Sequence, residues 1–152
     1  MTARSTTVHA STVLVGARAV LIRGPSAAGK SRLVLELIEA ARSGSLLFAR
    51  LVADDRTFLE AANGRLLARP AEALAGLIEV RGIGLLRVAC EPSAVVGLVI
   101  DLAAADASRL PEADRRRTEI CGILIPRLAV AADAAALPGV LALINSPSAS
   151  WI

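Results

Sequence analysis

The chain has 152 residues, 55% of them hydrophobic, and a net charge of only +3. A chain of this length is one domain of ordinary size and can bury most of a single core without staples. Its only aromatic residues are Phe48, Phe58 and Trp151, too few to stack a strand of nucleobases, and its basic residues are scattered, so no nucleic-acid partner is expected.

In chain order, residues 1–8 are expected to form a loose tail. Residues 12–15 and 18–23 are rich in β-branched and aliphatic side chains and flank Gly16-Ala17, which predicts a strand pair ending at Gly24. From Ser31 the period becomes helical. Leu33, Val34, Leu37, Ile38 and Ala41 share one face, and Arg32, Glu36, Glu39 and Ser43 the other. Arg32 and Glu36 can pair one turn apart, and Gly44 is a natural helix stop. Residues 46–53 read as a buried strand that ends at Asp54-Asp55. A hairpin over 57–62 and 65–68 follows, turned at Asn63-Gly64.

Residues 70–77 predict a short helix with Pro70 at its start. Residues 85–89 and 95–101 predict two more strands, and Pro111 opens a helical turn. Residues 123–130 are apolar but interrupted by Pro126, which predicts an edge strand or an extended segment. Residues 137–144 predict a last short helix, and 145–152 a loose end. No repeat, linker or boundary divides the chain, so residues 1–152 are expected to form one α/β domain.

The start, MTARSTTVHAS, lacks an apolar signal core, and Asp101, Arg127 and Asp133 break the longest apolar stretches. A cytoplasmic protein with no membrane partner is expected. Cys90 and Cys121 form no CxxC and are expected as reduced thiols in or near the core. The run Arg115 to Arg117 lies among Glu112, Asp114 and Glu119 and reads as a solvated face.

Of 17 lysines and arginines, only Lys30 is a lysine. It falls inside Gly24-Pro25-Ser26-Ala27-Ala28-Gly29-Lys30-Ser31, a full match to GxxxxGK[S/T]. The two glycines permit torsions that let several N–H groups point at one anion, and the following helix presents its positive end. Lys30 would then reach the β- and γ-phosphates of ATP, where a compact ammonium fits and a guanidinium fork does not, and the Ser31 hydroxyl would bind Mg2+. The strand before the loop and the amphipathic helix after it supply the context this motif requires.

Asp54-Asp55 closes an apolar strand. Carboxylates there can hold magnesium or take a proton from an attacking hydroxyl; an Asx-capped turn is the plainer alternative. In Glu79-Val80-Arg81-Gly82-Ile83-Gly84, two glycines bracket one apolar residue after an acid and a base. Such a loop brings backbone close to a ligand, with Glu79 as a metal ligand and Arg81 as a phosphate clamp. It equally suits a helix-to-strand turn with a surface ion pair.

With these motifs in hand, residues 9–144 resemble the catalytic domain of HPr kinase/phosphorylase. EVRGIG looks like that family's EIRGxG signature, and VADD at 52–55 like its acidic motif. His9 matches a histidine ahead of the phosphate loop, Arg109-Leu110 a catalytic Arg-Leu step, and ILIPRL at 123–128 a segment near the family's C-terminus. The resemblance implies a P-loop fold related to the nucleotide-binding part of phosphoenolpyruvate carboxykinase. It implies an enzyme that phosphorylates a serine of the phosphocarrier HPr of the phosphotransferase system with ATP and Mg2+. That enzyme also removes the phosphate with inorganic phosphate, and it is typically a hexamer. Carried over, Lys30 and the loop hold ATP; Ser31, Asp54 and Glu79 hold magnesium; the catalytic acidic pair Asp54-Asp55 supplies the base, with Asp55 favoured and Asp54 the alternative. His9 orients the acidic pair or the phosphate, and Arg109 stabilises charge in transfer; a lone histidine with no such role is the bland alternative.

The sequence also departs from that family. It has no counterpart of the long form's N-terminal regulatory domain and so looks like a short form. The stretch between Ser31 and Asp54 is longer, by an insertion near 43–49. A basic Arg-Pro-Gly loop after the IP segment is replaced by Ala131-Ala132-Asp133-Ala134-Ala135. Those departures motivate an alternative, an ATP-sensing regulatory module without transferase activity. A small-molecule kinase is a further alternative, with Arg115 to Arg117 as its only lid candidate.

Overall fold

The computed structural model describes residues 4–146. They form a mixed α/β fold dominated by one sheet. Strand β1 (Ser5–Val8) leads into the hairpin of β2 (Ala10–Val15) and β3 (Arg18–Arg23), with Gly16 at the turn in the left-handed region, φ 63. Helix α1 (Lys30–Arg42) follows, then β4 (Ala49–Ala53), β5 (Thr57–Ala62) and β6 (Arg65–Pro70). A separate hairpin pairs β7 (Leu77–Val80) with β8 (Gly84–Arg87). Strands β9 (Ala94–Asp101), β10 (Arg117–Ile120) and β11 (Ile123–Ala129) and helix α2 (Ala136–Asn145) complete the order.

The main sheet runs β1-β5-β6-β9-β3-β2-β4. It forks at β9. The first residues of that strand pair antiparallel with β6, and its last residues pair parallel with β11, which carries β10. On its other edge β9 runs parallel to β3 over Ala19 to Arg23. A parallel pair covered on both faces needs unbroken apolar runs, which is what RAVLIR and AVVGLVID supply. Val20, Ile22, Leu98 and Ile100 face one core with Leu33, Val34 and Leu37 of α1 and Val140 and Ile144 of α2. Ala19, Leu21, Val96 and Val99 face a second core with Leu59, Leu66, Ile120 and Ile125. The sheet thus has helices on one side and its own curled antiparallel arms on the other.

In α1 Leu33, Val34 and Leu37 of the expected face are buried and Ile38 and Ala41 pack half-buried against the same core, while Ala40, not expected there, is buried as well. Arg32 and Glu36 pair at 3.8 Å, and the helix ends at Ser43 and Gly44, with Gly44 at φ 89.

Several segments differ from expectation. Residues 5–8 of the expected tail form β1, paired with β5, because alternating side chains and a free sheet edge let them add a strand. In place of a helix over 70–77 there is one 3-10 turn, Glu72–Leu74, since Gly76 at φ 77 ends it and Leu77 starts β7. The strand predicted from 46 begins at Ala49, and the one predicted at 85–89 is β8, outside the main sheet. Residues 123–129 are not an edge strand: β11 lies between β10 and β9, with Pro126 opposite Arg117. Cys121 is half-buried and burial raises its thiol pKa, but Cys90 is exposed rather than in the core. Asn145 closes α2 rather than opening a tail, and 147–152 lie outside the described residues. Among those described, no helix is long and apolar enough to cross a membrane.

Candidate functional site

Residues 24–31 connect β3 to α1 at the carboxyl ends of two parallel strands, where open α/β sheets place ligands. Gly29 sits at φ 100 with open space around it, so its torsion requires glycine. Gly24 is needed for room: a Cβ there would lie 3.1 Å from both the Cβ and the carbonyl oxygen of Leu102. Ala27 also takes the left-handed region, at φ 68, a strained choice for alanine of the kind that clusters at ligand sites. Pro25 and Ser26 are exposed, Ala28 is half-buried, and the Ala28 N–H donates to the Pro25 carbonyl at 3.1 Å.

Lys30 is only 7% exposed. Its Nζ donates to the carbonyls of Gly24 at 2.8 Å and Pro25 at 3.0 Å, and among the described residues no carboxylate pairs with it. A buried ammonium held by dipoles alone retains an uncompensated charge. That charge and the first N–H groups of α1 favour an anion here.

The acidic pair stands beside the helix start. Asp54 is 5% exposed, and Oδ1 accepts hydrogen bonds from Ser31 Oγ at 2.6 Å and Ser11 Oγ at 2.7 Å. Oδ2 accepts the backbone N–H of Glu79 at 2.9 Å. Asp55, at φ 65, turns outward, and its Oδ1 lies 2.5 Å from His9 Nε2. Both side chains of that pair are more than half exposed, at 52% for His9 and 61% for Asp55. The two aspartates therefore differ in kind. Asp54 is a buried carboxylate in the wall that accepts three hydrogen bonds and keeps acceptor capacity on Oδ2, and Asp55 is an accessible carboxylate beside an imidazole.

The segment 79–84 is the turn of the β7–β8 hairpin, with Ile83 N–H donating to the Val80 carbonyl at 2.9 Å and Gly82 and Gly84 at positive φ. The tight loop is present, but between two strands rather than after a helix. It meets the acidic pair through the Glu79 backbone; the Glu79 and Arg81 side chains are exposed. Arg109 is exposed on the loop after β9, and no hydrogen bond or ion pair fixes it among the described residues. The structure thus gathers His9, Lys30, Ser31, Asp54, Asp55 and the Glu79 backbone, and leaves the Arg81 and Arg109 side chains exposed on loops outside these contacts.

Sequence reading missed two sets of residues. One is Ser11, the polar residue that follows Ala10 in β2. The other is an ionic network beneath the Arg109 loop. Asp101 pairs with Arg23 at 2.7 Å and with Arg127 at 2.5 Å. Arg127 also spans both oxygens of Asp106 at 2.8 and 2.9 Å, a bidentate fork that pins the loop. Burial alone would raise the Asp101 carboxyl, but the hydrogen bonds and charges of Arg23 and Arg127 outweigh it and hold it below its ordinary value. The Arg127 hydrogen bonds hold Asp106 well below the carboxylate range, and Asp106 in turn raises Arg127. An acid closing an apolar strand beside the loop, as Asp101 does, was the available signal.

A cavity of about 490 Å³ lies between the loop, Arg32 and Glu36 of α1, and residues 130–136. The segment 131–135 brings no cationic side chain to it. Among the described residues no cluster of three or more His, Cys, Asp or Glu could enclose a metal by itself. The donor set, a serine hydroxyl 2.6 Å from a carboxylate beside an anion cradle, instead suits a hard divalent ion that keeps most of its ligands from water and phosphate.

The chain is similar to the HPr kinase/phosphorylase of Streptococcus sanguinis, 32% identical over 139 residues that cover 84% of this chain and 42% of that protein. It is also similar to the HPr kinase/phosphorylase of Streptococcus thermophilus, 41% identical over 87 residues that cover 57% of this chain and 26% of that one. The chain therefore spans less than half the length of these curated relatives. A solved structure, the Hpr(Ser) kinase/phosphatase from Coxiella burnetii, superposes with a TM-score of 0.71 at 28% identity, covering 90% of this chain and 91% of that one. The model of the HPr Serine kinase C-terminal domain matches residues 1–140, and the chain belongs to that family.

Proposed function

We propose that the chain is an ATP- and Mg2+-dependent protein serine kinase acting on an HPr-like phosphocarrier, with residues 1–152 serving as one catalytic unit. The observation that carries this reading is the buried Lys30 ammonium, held only by carbonyls, one residue from a serine bonded to a wall carboxylate. Family membership supports it. In this reading residues 24–31 act as a P-loop, in a fold akin to the nucleotide-binding part of phosphoenolpyruvate carboxykinase. Lys30 and the loop amides take the β- and γ-phosphates, and Ser31, Asp54 and Glu79 take the magnesium ion, which supplies charge neutralisation when bound. Asp55 accepts the proton of the attacking serine hydroxyl as its oxygen bonds to the γ-phosphorus and the bond to the ADP oxygen breaks. His9 orients Asp55. Arg109 and Arg81 offset phosphoryl charge from the loops above. In the reverse direction Asp55 returns the proton to the serine oxygen while inorganic phosphate takes the phosphoryl group. A cytoplasmic location and assembly into a homo-oligomer, a hexamer by resemblance, belong to the same proposal.

Incubation of the chain with HPr and labelled ATP tests it. Transfer to a serine is expected, and nucleotide binding that depends on Lys30 without any transfer overturns it. One observation favours a second reading, an ATP-sensing module: residues 131–135 line the cavity beside the loop without a cation. Such a module would bind a partner differently with ATP and with ADP and phosphorylate nothing.

A further inference from the structure

We infer that Ser11 is a positioning residue for the acidic pair, its buried hydroxyl holding Asp54 against Ser31 and the Asp55 turn toward His9. The catalytic consequence rests on the kinase reading; the positional one does not. Ser11 is 1% exposed. Its Oγ donates to Asp54 Oδ1 at 2.7 Å and accepts the Asp55 N–H at 3.3 Å. One hydroxyl therefore ties down two consecutive residues with opposite polarity, the side chain of the first and the backbone of the second.

The register explains how Ser11 comes to lie there. In the β2–β4 pairing Val13 opposes Leu51, whereas Thr12 opposes Ala53, so Val52 is an extra residue in β4. An unbroken ladder would set Thr12 against Val52 and Ser11 against Ala53. The bulge advances β4 by one position, and Asp54 arrives opposite Ser11. The Asp54 carboxylate then fills the gap between two hydroxyls, Ser11 on β2 and Ser31 on α1. Beyond it Asp55 enters the left-handed region, φ 65, which an aspartate keeps only where its surroundings hold it there. The N–H bond to Ser11 and the Arg56 N–H bond to the Asp54 carbonyl, 2.7 Å, are the local restraints on that turn.

Thr12 is an internal contrast. It is as buried as Ser11 and lies on the same strand, but its hydroxyl meets Thr57 Oγ1 at 2.9 Å, and Thr57 in turn donates to the Ala10 carbonyl. Neither threonine hydroxyl bonds to the acidic pair.

The test uses Ser11→Ala and Thr12→Val in the full chain, with Asp55→Asn as a reference. His9 is the only histidine, so imidazole NMR signals have a single origin and report the His9–Asp55 contact directly. Ser11→Ala is expected to move the His9 signals toward their positions in Asp55→Asn, and Thr12→Val to leave them in place. Phosphoryl transfer to HPr is expected to lose roughly 10- to 100-fold in kcat in Ser11→Ala, the scale of a misplaced catalytic group, with a smaller change in KM for Mg-ATP because Asp54 keeps its bonds to Ser31 and the Glu79 N–H. Thr12→Val should alter neither. Ser11→Cys, close in shape with a weaker donor, should give an intermediate displacement, and it serves as the test should Ser11→Ala fail to fold. His9 signals that remain at native positions without the Ser11 hydroxyl overturn the inference. A native chain that transfers nothing overturns the kinase reading alone, because the His9 signals still decide the role of Ser11.

Discussion

The Ser31 hydroxyl donates a 2.6 Å hydrogen bond to Oδ1 of Asp54 and so joins the first turn of α1 to the end of β4. The positive end of a helix and a carboxylate are thereby fixed within one bond of each other. In the proposed kinase reading, a phosphate bound at that helix start and the Asp54 carboxylate would repel each other, and a divalent ion between them would offset this.

Lys30→Ala should leave the chain folded and weaken Mg-ATP binding by roughly 100-fold or more, about 3 kcal/mol, on the scale of charge-assisted contacts to phosphate. Lys30→Arg should restore little of it, since the ammonium fits between two carbonyls at 2.8 and 3.0 Å and a planar fork does not. Isothermal titration calorimetry measures both.

The two aspartates should separate by readout. Asp55→Asn keeps the wall intact, so nucleotide affinity should stay within about threefold while phosphoryl transfer falls roughly 10²- to 10⁴-fold, the usual loss of a general base. Asp54→Asn removes the acceptor shared by Ser11 and Ser31 and should weaken the magnesium-dependent part of binding itself. Titrations with and without EDTA, beside a transfer assay, distinguish the pair.

Asp101 and Asp106 lie below their ordinary values because of Arg127 and its neighbours. A carboxyl depressed in the folded state stabilises fully above its unfolded value and loses that contribution as pH falls through the folded value. Asp106→Asn should therefore lower Tm at pH 7. The gap to the native chain should close on acidification below about pH 4, where unfolded carboxylates start to protonate. Thermal melts from pH 7 down to pH 2 follow it.

Gly24→Ala would drive a methyl group to 3.1 Å from the Leu102 Cβ and carbonyl oxygen. Overpacking of that kind costs about 1–3 kcal/mol and should displace the loop, so urea unfolding should show lost stability together with weaker nucleotide binding. Gly16→Ala, in open space at a hairpin turn, should show only the smaller cost of its torsion and bind normally.

Much of the site could be read from local sequence because its parts are local. The 24–31 loop carries its own glycines, and α1 its own period. Asp54-Asp55 closes an apolar strand, as Asp101 does. What could not be read depended on pairing between distant segments. Ser11 matters only because Val52 is extra in β4, and no composition of HAST or LVADD announces a bulge. Residues 5–8 looked like a tail because a four-residue strand has too few positions to display a period, and β5 supplies the partner. Pro70 suggested a helix, but it ends β6, and Gly76 at φ 77 stops the short turn after it before β7 begins. Pro126 suggested an edge, yet β11 is paired on both sides.

Lys30 is both the chain's only lysine and buried under the carbonyls of Gly24 and Pro25. Its side-chain amine is thus the one lysine target for acylating reagents in these 152 residues, and a sheltered one. The extent of one mass increment on one peptide would report how often that ammonium leaves its cradle. The protein carries a site-specific label position with no need for a substitution to create it.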